Sequence, residues 1–228
     1  MSVLAPAPAR EQIIYPETDG KPMAETDLHR EEMIAIIEAL SDYYRDALDV
    51  YVSGNLLLYY EEGNIRASVA PDAFVVKGVS KGDRRTYRLW EEGKAPNVVI
   101  EVTSRGTRLQ DLGTKRALYA WLGVKEYFLY DPLGEYLEPP LQGYRLAGGD
   151  YERMEPAAGG TLHSTELGLD LRGEDGHLRL VDPVTGERLL SPAEAHAARR
   201  AAEARAAQAE AELERLRTEL ERLRSESS

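Results

Sequence analysis

The stretch "NVVIEVTSRGTRLQDLGTKRALY", Asn97 to Tyr119, decides how this chain is read, because it begins as a buried strand and sets a carboxylate inside it. Glu101 stands between Ile100 and Val102. An ionised carboxylate in apolar surroundings is unfavourable unless a cation, a metal or hydrogen bonds compensate it. The period of a strand puts Val98, Ile100 and Val102 on one face and Val99, Glu101 and Thr103 on the other. A helix is expected from about Thr107 to Leu122, with Gly123 ending it as a C-terminal glycine does. "KEYFLYDP", Lys125 to Pro132, reads as the next strand, stopped by its proline. Strand, helix and strand in succession predict a right-handed crossover between parallel neighbours.

Toward the N-terminus, "ETDLHREEMIAIIEALSDYYRDAL" carries Met33, Ile36, Ile37, Leu40, Tyr44 and Leu48 at helical spacing, with Thr26 or Asp27 as its cap. "VYVSGNLLLYYEEGN" predicts one or two strands broken at Gly54-Asn55, and "IRASVAPDAFVVKG" one more, with Pro71 at a bulge or edge. "KGDRRTYRLWEEGKAP" reads as an exposed, charged connection. From Gly134 to Leu190, short alternating pieces with glycine turns fit hairpins added beside the core. The fold class is therefore mixed α/β. The chain divides into an N-terminal arm over 1–24, a domain over 25–190 and a C-terminal helix over 191–228.

That last segment starts at Ser191-Pro192 with Glu194, as helices do. Ala202, Ala206, Ala209, Leu213, Leu216, Leu220 and Leu223 then recur at alternating steps of four and three, the seam of a coiled coil. With Ala206 at position a, Arg205, Glu212 and Glu219 fall at g, and Glu210, Arg217 and Arg224 at e of the next heptad. Every g residue meets an opposite charge in a parallel partner, so a homodimer or higher oligomer is expected; a solvated single helix is the alternative.

Composition narrows the function. The chain has 228 residues and no cysteine, which excludes disulfides and thiolate metal ligation and suits a cytoplasmic protein. The Pro-rich start has no apolar core of signal-peptide length, and no run could span a membrane. The net charge of -12 argues against a phosphate polymer. Its distribution reverses the balance locally, because Lys77 to Lys125 holds eleven Lys and Arg against five acids. The odd carboxylate lies inside that basic stretch.

On the strand before, Asp72 shares a face with Ala70, Phe74 and Val76 if the strand continues past Pro71. Asp72 and Glu101 can then approach each other, and two carboxylates with open positions are what Mg²⁺ or Mn²⁺ takes. On the following helix Arg108, Asp111 and Lys115 share one side; taken alone, Asp111 and Lys115 form an ordinary i,i+4 pair. A plain ion pair from Glu101 to Lys115 or Arg108 remains an alternative. His29, His163, His177 and His196 have no ligand spacing, and a lone histidine is usually structural.

"APDAFVV", "NVVIEVTS" and "DLGTKRALYAWLGVKEYFLYDP" together resemble the Uma-type family of endonucleases, within the PD-(D/E)XK superfamily of restriction endonuclease-like folds. The resemblance implies a mixed sheet flanked by helices and a divalent-metal site that hydrolyses phosphodiester bonds in DNA. It maps Asp72 to the first acid and Glu101 to the second, holding Mg²⁺ or Mn²⁺ with the Val102 carbonyl. The superfamily pattern has lysine two residues after the second acid, where this chain has Thr103; in the Uma-type pattern a helix lysine takes that place, here Lys115. The resemblance further implies Arg105 and Arg108 as grips on nucleic acid, Asp111 as a tuner of Lys115, and Glu31 as an additional acid. The competing class is a non-catalytic binding or assembly protein on the same scaffold, recruiting partners through its helical tail.

Overall fold

The structure is a computed structural model that describes residues 13–18 and 26–226, so most of the expected arm, 1–24, lies outside the described residues. The chain divides into two compact units, Met1–Leu189 and Leu190–Ser228.

The first unit opens with α1 (Asp27–Tyr43), whose N-cap Thr26 accepts the His29 N–H through its side chain. Its buried stripe is His29, Met33, Ile36 and Leu40. The helix ends before Leu48, which is exposed, so the apolar spacing overstates its length. Down the chain follow β1 (Val50–Ser53), β2 (Leu58–Tyr59), β3 (Ser68–Val69), β4 (Ala73–Lys77), β5 (Tyr87–Arg88), the short helix α2 (Leu89–Glu92) and β6 (Val98–Val102). A π-helical turn, Gln110–Lys115, leads into α3 (Arg116–Leu122), and Gly123 closes it in the left-handed conformation at φ 82°. Then come β7 (Glu126–Tyr130), β8 (Leu141–Ala147), β9 (Asp150–Arg153), β10 (Leu162–Ser164), β11 (Leu169–Glu174) and β12 (His177–Val181).

The main sheet has six strands in the order β1-β4-β6-β7-β8-β9. Only β6 and β7 are parallel, joined by the helical crossover that the sequence predicts; the other neighbours are antiparallel. The added pieces are hairpins, and β10-β11-β12 form an antiparallel sheet of their own. On one face of the main sheet Val75, Ile100 and Phe128 pack with Met33 and Ile36 of α1 and with Leu171 of β11. On the other, Phe74, Val99 and Leu129 pack with Tyr119 of α3. Strand periodicity sets Glu101 on this second side.

Two expectations need correction. The strand expected over Ile65–Gly78 is two strands in two sheets, β3 pairing with β2 in a small β3-β2-β5 sheet and β4 joining the main one. Pro71 has no N–H to continue a ladder, and its carbonyl accepts the Asn55 N–H at 2.8 Å. The connection over Lys81–Pro96 is not simply exposed either. Tyr87 is fully buried, and Arg84 pairs with Glu92 at 2.6 Å while its guanidinium lies 4.0 Å from the centre of the Tyr51 ring.

The second unit is α4 (Pro192–Glu226), 35 residues long. Its start is a capping box: the Ser191 N–H donates to the Glu194 carboxylate at 2.9 Å and the Glu194 N–H to the Ser191 hydroxyl at 3.3 Å. Leu213, Leu216, Leu220 and Leu223 are each at least half exposed along it.

Candidate active site

Glu101 is wholly buried and is held from three directions. The Lys115 ammonium lies 2.8 Å from its Oε2, the Tyr119 hydroxyl donates to Oε1 at 2.7 Å, and the Asp72 N–H reaches Oε2 at 3.3 Å. Asp72 returns the link, its Oδ2 accepting the Val102 N–H at 2.8 Å. The break at Pro71 makes this exchange possible, because it frees the Asp72 backbone from a ladder and turns it toward β6. The turn also needs Gly54, where a Cβ would collide with the Asp72 carbonyl.

The helix after β6 contributes Asp111, Lys115 and Tyr119 at intervals of four. Lys115 Nζ bridges to Asp111 Oδ1 at 3.1 Å, and the Tyr127 hydroxyl fixes the Asp111 carbonyl at 3.0 Å. The π turn widens the helix here, a feature often found where a helix carries function. From α1, His29 Nε2 approaches Asp72 Oδ2 at 3.3 Å. Beside this cluster opens a cleft of about 800 Å³ lined by His29, Asp72, Thr103, Arg105, Lys115 and Tyr136, among others, with Glu101 and Asp111 buried behind it.

The family model for Uma2, described as "Putative restriction endonuclease", matches residues 7–178. The chain belongs to this family. No curated protein matches it. Among solved structures, one described as a "putative nuclease belonging to DUF820" from Anabaena variabilis ATCC 29413 resembles it with a TM-score of 0.47 and 15% identity, over 66% of this chain and 81% of that one.

Within this Uma2 domain, Asp72, Glu101, Asp111 and Lys115 are brought together, and Arg105 lines the same cleft. Arg108 is exposed and does not line it, and Glu31 is likewise exposed. Of the eleven cations between Lys77 and Lys125, only Arg105 and Lys115 line the cleft. Others are engaged elsewhere: Arg84 with Glu92, Arg88 with Glu91 and Lys94 with the Lys77 carbonyl. The basic stretch is therefore not one face.

Two residues of this cluster, Tyr119 and His29, are not evident from motif and spacing, though both leave a signal in the sequence. Tyr119 continues the four-residue series Asp111, Lys115. His29 extends the stripe of Met33, Ile36 and Leu40 by one turn, a polar group on an otherwise apolar line.

Burial sets the electrostatics. It raises Glu101, with Lys115 pulling down and Asp72 and Asp111 pushing up, to a pKa of about 8. Burial also raises Asp111, against the pull of Lys115. For Asp72 burial acts upward too, but the His29 bond, the Lys115 charge and the Val102 N–H outweigh it and hold the carboxyl below the usual aspartate value. Lys115 is pushed down by burial and lifted further by Glu101, Asp111 and Asp72, ending above an ordinary lysine. An ammonium so stabilised needs an ionised neighbour, whereas Glu101 and Asp111 both resist ionisation.

Three carboxylates beside one ammonium leave the cluster short of positive charge even with Glu101 protonated, the sign of charge that a bound cation offsets. Among the described residues no group of three or more acids and histidines is arranged to hold an ion. Asp72 and Glu101 are the carboxylates that could contribute oxygens to a cation, Asp72 lining the cleft and Glu101 buried beside it with both oxygens hydrogen-bonded.

Proposed function

We propose that the chain is a divalent-metal-dependent nuclease that hydrolyses phosphodiester bonds in DNA. The observation that supports this reading most is the surplus of buried carboxylate over cation beside an open cleft that Asp72 and Lys115 line, on the strand and helix that the family match covers. Asp72 and Glu101 would hold Mg²⁺ or Mn²⁺. Once bound, such an ion polarises a phosphoryl oxygen and makes water a better nucleophile.

The chain's own groups do the rest. Lys115, with Glu101 and Asp111 fixing its ammonium, offsets charge that grows on phosphoryl oxygens. His29 and the Val102 N–H hold the Asp72 carboxylate in one orientation, and Tyr119 does the same for Glu101. Arg105, exposed at the cleft, grips the backbone beside the cut.

The exposed leucines of α4 support homodimerisation through a parallel coiled coil. A non-catalytic scaffold is favoured by one observation, that Lys115 and Tyr119 already engage both Glu101 oxygens.

The deciding experiment incubates supercoiled plasmid and single-stranded DNA with Mg²⁺ or Mn²⁺, using wild type and Glu101→Ala purified identically. Cleavage by the wild type alone is expected. Cleavage by neither favours the scaffold, and equal cleavage by both points to a contaminant.

A further inference from the structure

The turn between β6 and the π-helical segment has an unexplained polar interior. Thr103 is 2% exposed, yet its hydroxyl has no hydrogen-bond partner. Its backbone is settled, the N–H donating to the Tyr130 carbonyl at 2.7 Å, so the side chain alone is left over. Buried hydroxyls are nearly always paired, and one that is not calls for a reason. A neighbouring feature has the same sign. The Ser104 N–H goes to the Thr107 hydroxyl, and the Thr107 and Arg108 N–H groups go to the Ser104 carbonyl. Arg105 and Gly106 are exposed, and among the described residues no acceptor takes their N–H groups, which stand open to solvent or a ligand. Thr103, Arg105 and Gly106 all line the cleft that holds Asp72 and Lys115.

Three donors left over in one turn, beside an ammonium and an arginine, suit an oxyanion. We propose that the Thr103–Gly106 turn is a phosphate cradle, in which the Thr103 hydroxyl and the Arg105 and Gly106 N–H groups bind non-bridging oxygens of a phosphodiester. The inference rests on the nuclease reading and adds to it the group that positions the polymer. Gly106 is consistent with it. A Cβ there would meet nothing closer than the Ser104 hydroxyl at 3.9 Å, so the fold itself does not demand glycine. A phosphate approaching the backbone does.

The test uses the full chain and three variants, Thr103→Val, Thr103→Ser and Gly106→Ala. Affinity for a fluorescent single-stranded oligonucleotide is measured by anisotropy in EDTA, beside thermal melting with and without inorganic phosphate. Thr103→Val removes an unpaired hydroxyl and keeps the shape, so its melting temperature should equal or exceed that of wild type while affinity falls about ten-fold. Thr103→Ser should bind as wild type does. Gly106→Ala should melt as wild type does and bind more weakly. Oligonucleotide binding undiminished in both Thr103→Val and Gly106→Ala overturns the cradle. If wild type binds no oligonucleotide but phosphate raises its melting temperature, and both variants lose that rise, the cradle stands and the nucleic-acid reading falls. No response to either probe overturns both.

Discussion

Glu101 survives inside a buried strand because its two oxygens are shared among an ammonium, a phenol and a backbone N–H. The arrangement is still short of positive charge, and this has a pH signature. Glu101 is raised from an ordinary 4.5 to about 8, so between those values the folded protein binds more protons than the unfolded chain. Stability of the metal-free protein should therefore fall as pH rises from about 5 to 8, with a slope of at most about 1.4 kcal/mol per pH unit for one proton. Urea melts across that range check it, and Glu101→Gln should flatten the profile. A wild-type profile that rises instead would place the proton elsewhere. Lys115 gives a companion expectation. Lys115→Ala strands Glu101 and Asp111 without their cation and should cost about 3 kcal/mol in EDTA. With the ammonium gone the site is more negative, so Mg²⁺ should restore part of that loss, and restore more than it adds to wild type. Equal Mg²⁺ shifts in melting temperature for both proteins would mean that the carboxylates do not hold the ion.

At the scale of elements, the strand–helix–strand unit around Glu101 is legible in the sequence because its signals are local: an apolar run, a helical repeat, a closing glycine and a stopping proline. Lys115 and Asp111 are legible for the same reason. Three features are not. Pro71 signals a break locally, but the split into two sheets rests on partners distant in sequence, Asn55 for the Pro71 carbonyl and β2 for β3, which no local pattern encodes. The π turn over Gln110–Lys115 contains Gly113, but a lone glycine inside a helical pattern does not specify a widened turn, which shows only in hydrogen bonding. The burial of Tyr87 within a charge-rich segment depends on Tyr51 and Phe74, distant in sequence. His29 lies in plain view, but nothing local ties it to the site, because its partner Asp72 is forty-three positions away. Gly54 joins these levels. It reads as a turn glycine, yet its φ is unremarkable and the requirement is space, the Asp72 carbonyl and the Ile37 side chain lying where a Cβ would go. Gly54→Ala should therefore destabilise by about 1–3 kcal/mol and displace Asp72. Thermal melting checks the first effect. Cleavage lost beyond what the melting loss explains checks the second.

For the whole molecule, the second unit poses a problem of partnership. A 35-residue helix with four half-exposed leucines at steps of three and four gains little from propensity alone. No described helix is long and apolar enough to cross a membrane. The proposed cover is another copy of the same helix, since the sequence sets Arg205 against Glu210 and Glu212 against Arg217 in a parallel register. Each exposed pair would contribute only tenths of a kcal/mol, so in the proposed dimer they would choose orientation while the leucines supply the association. Deleting residues 202–228 should leave the first unit's melting unchanged and reduce the mass seen by light scattering to that of one chain. Orientation can be read separately, because the natural chain has no cysteine and any introduced thiol is unique. Leu216 lies at a d position, where two parallel helices in register face each other. Leu216→Cys should oxidise to a covalent dimer within minutes at micromolar protein. A dimer by scattering that fails to cross-link would keep the association and reverse the strands, leaving the charge pattern without its assigned role.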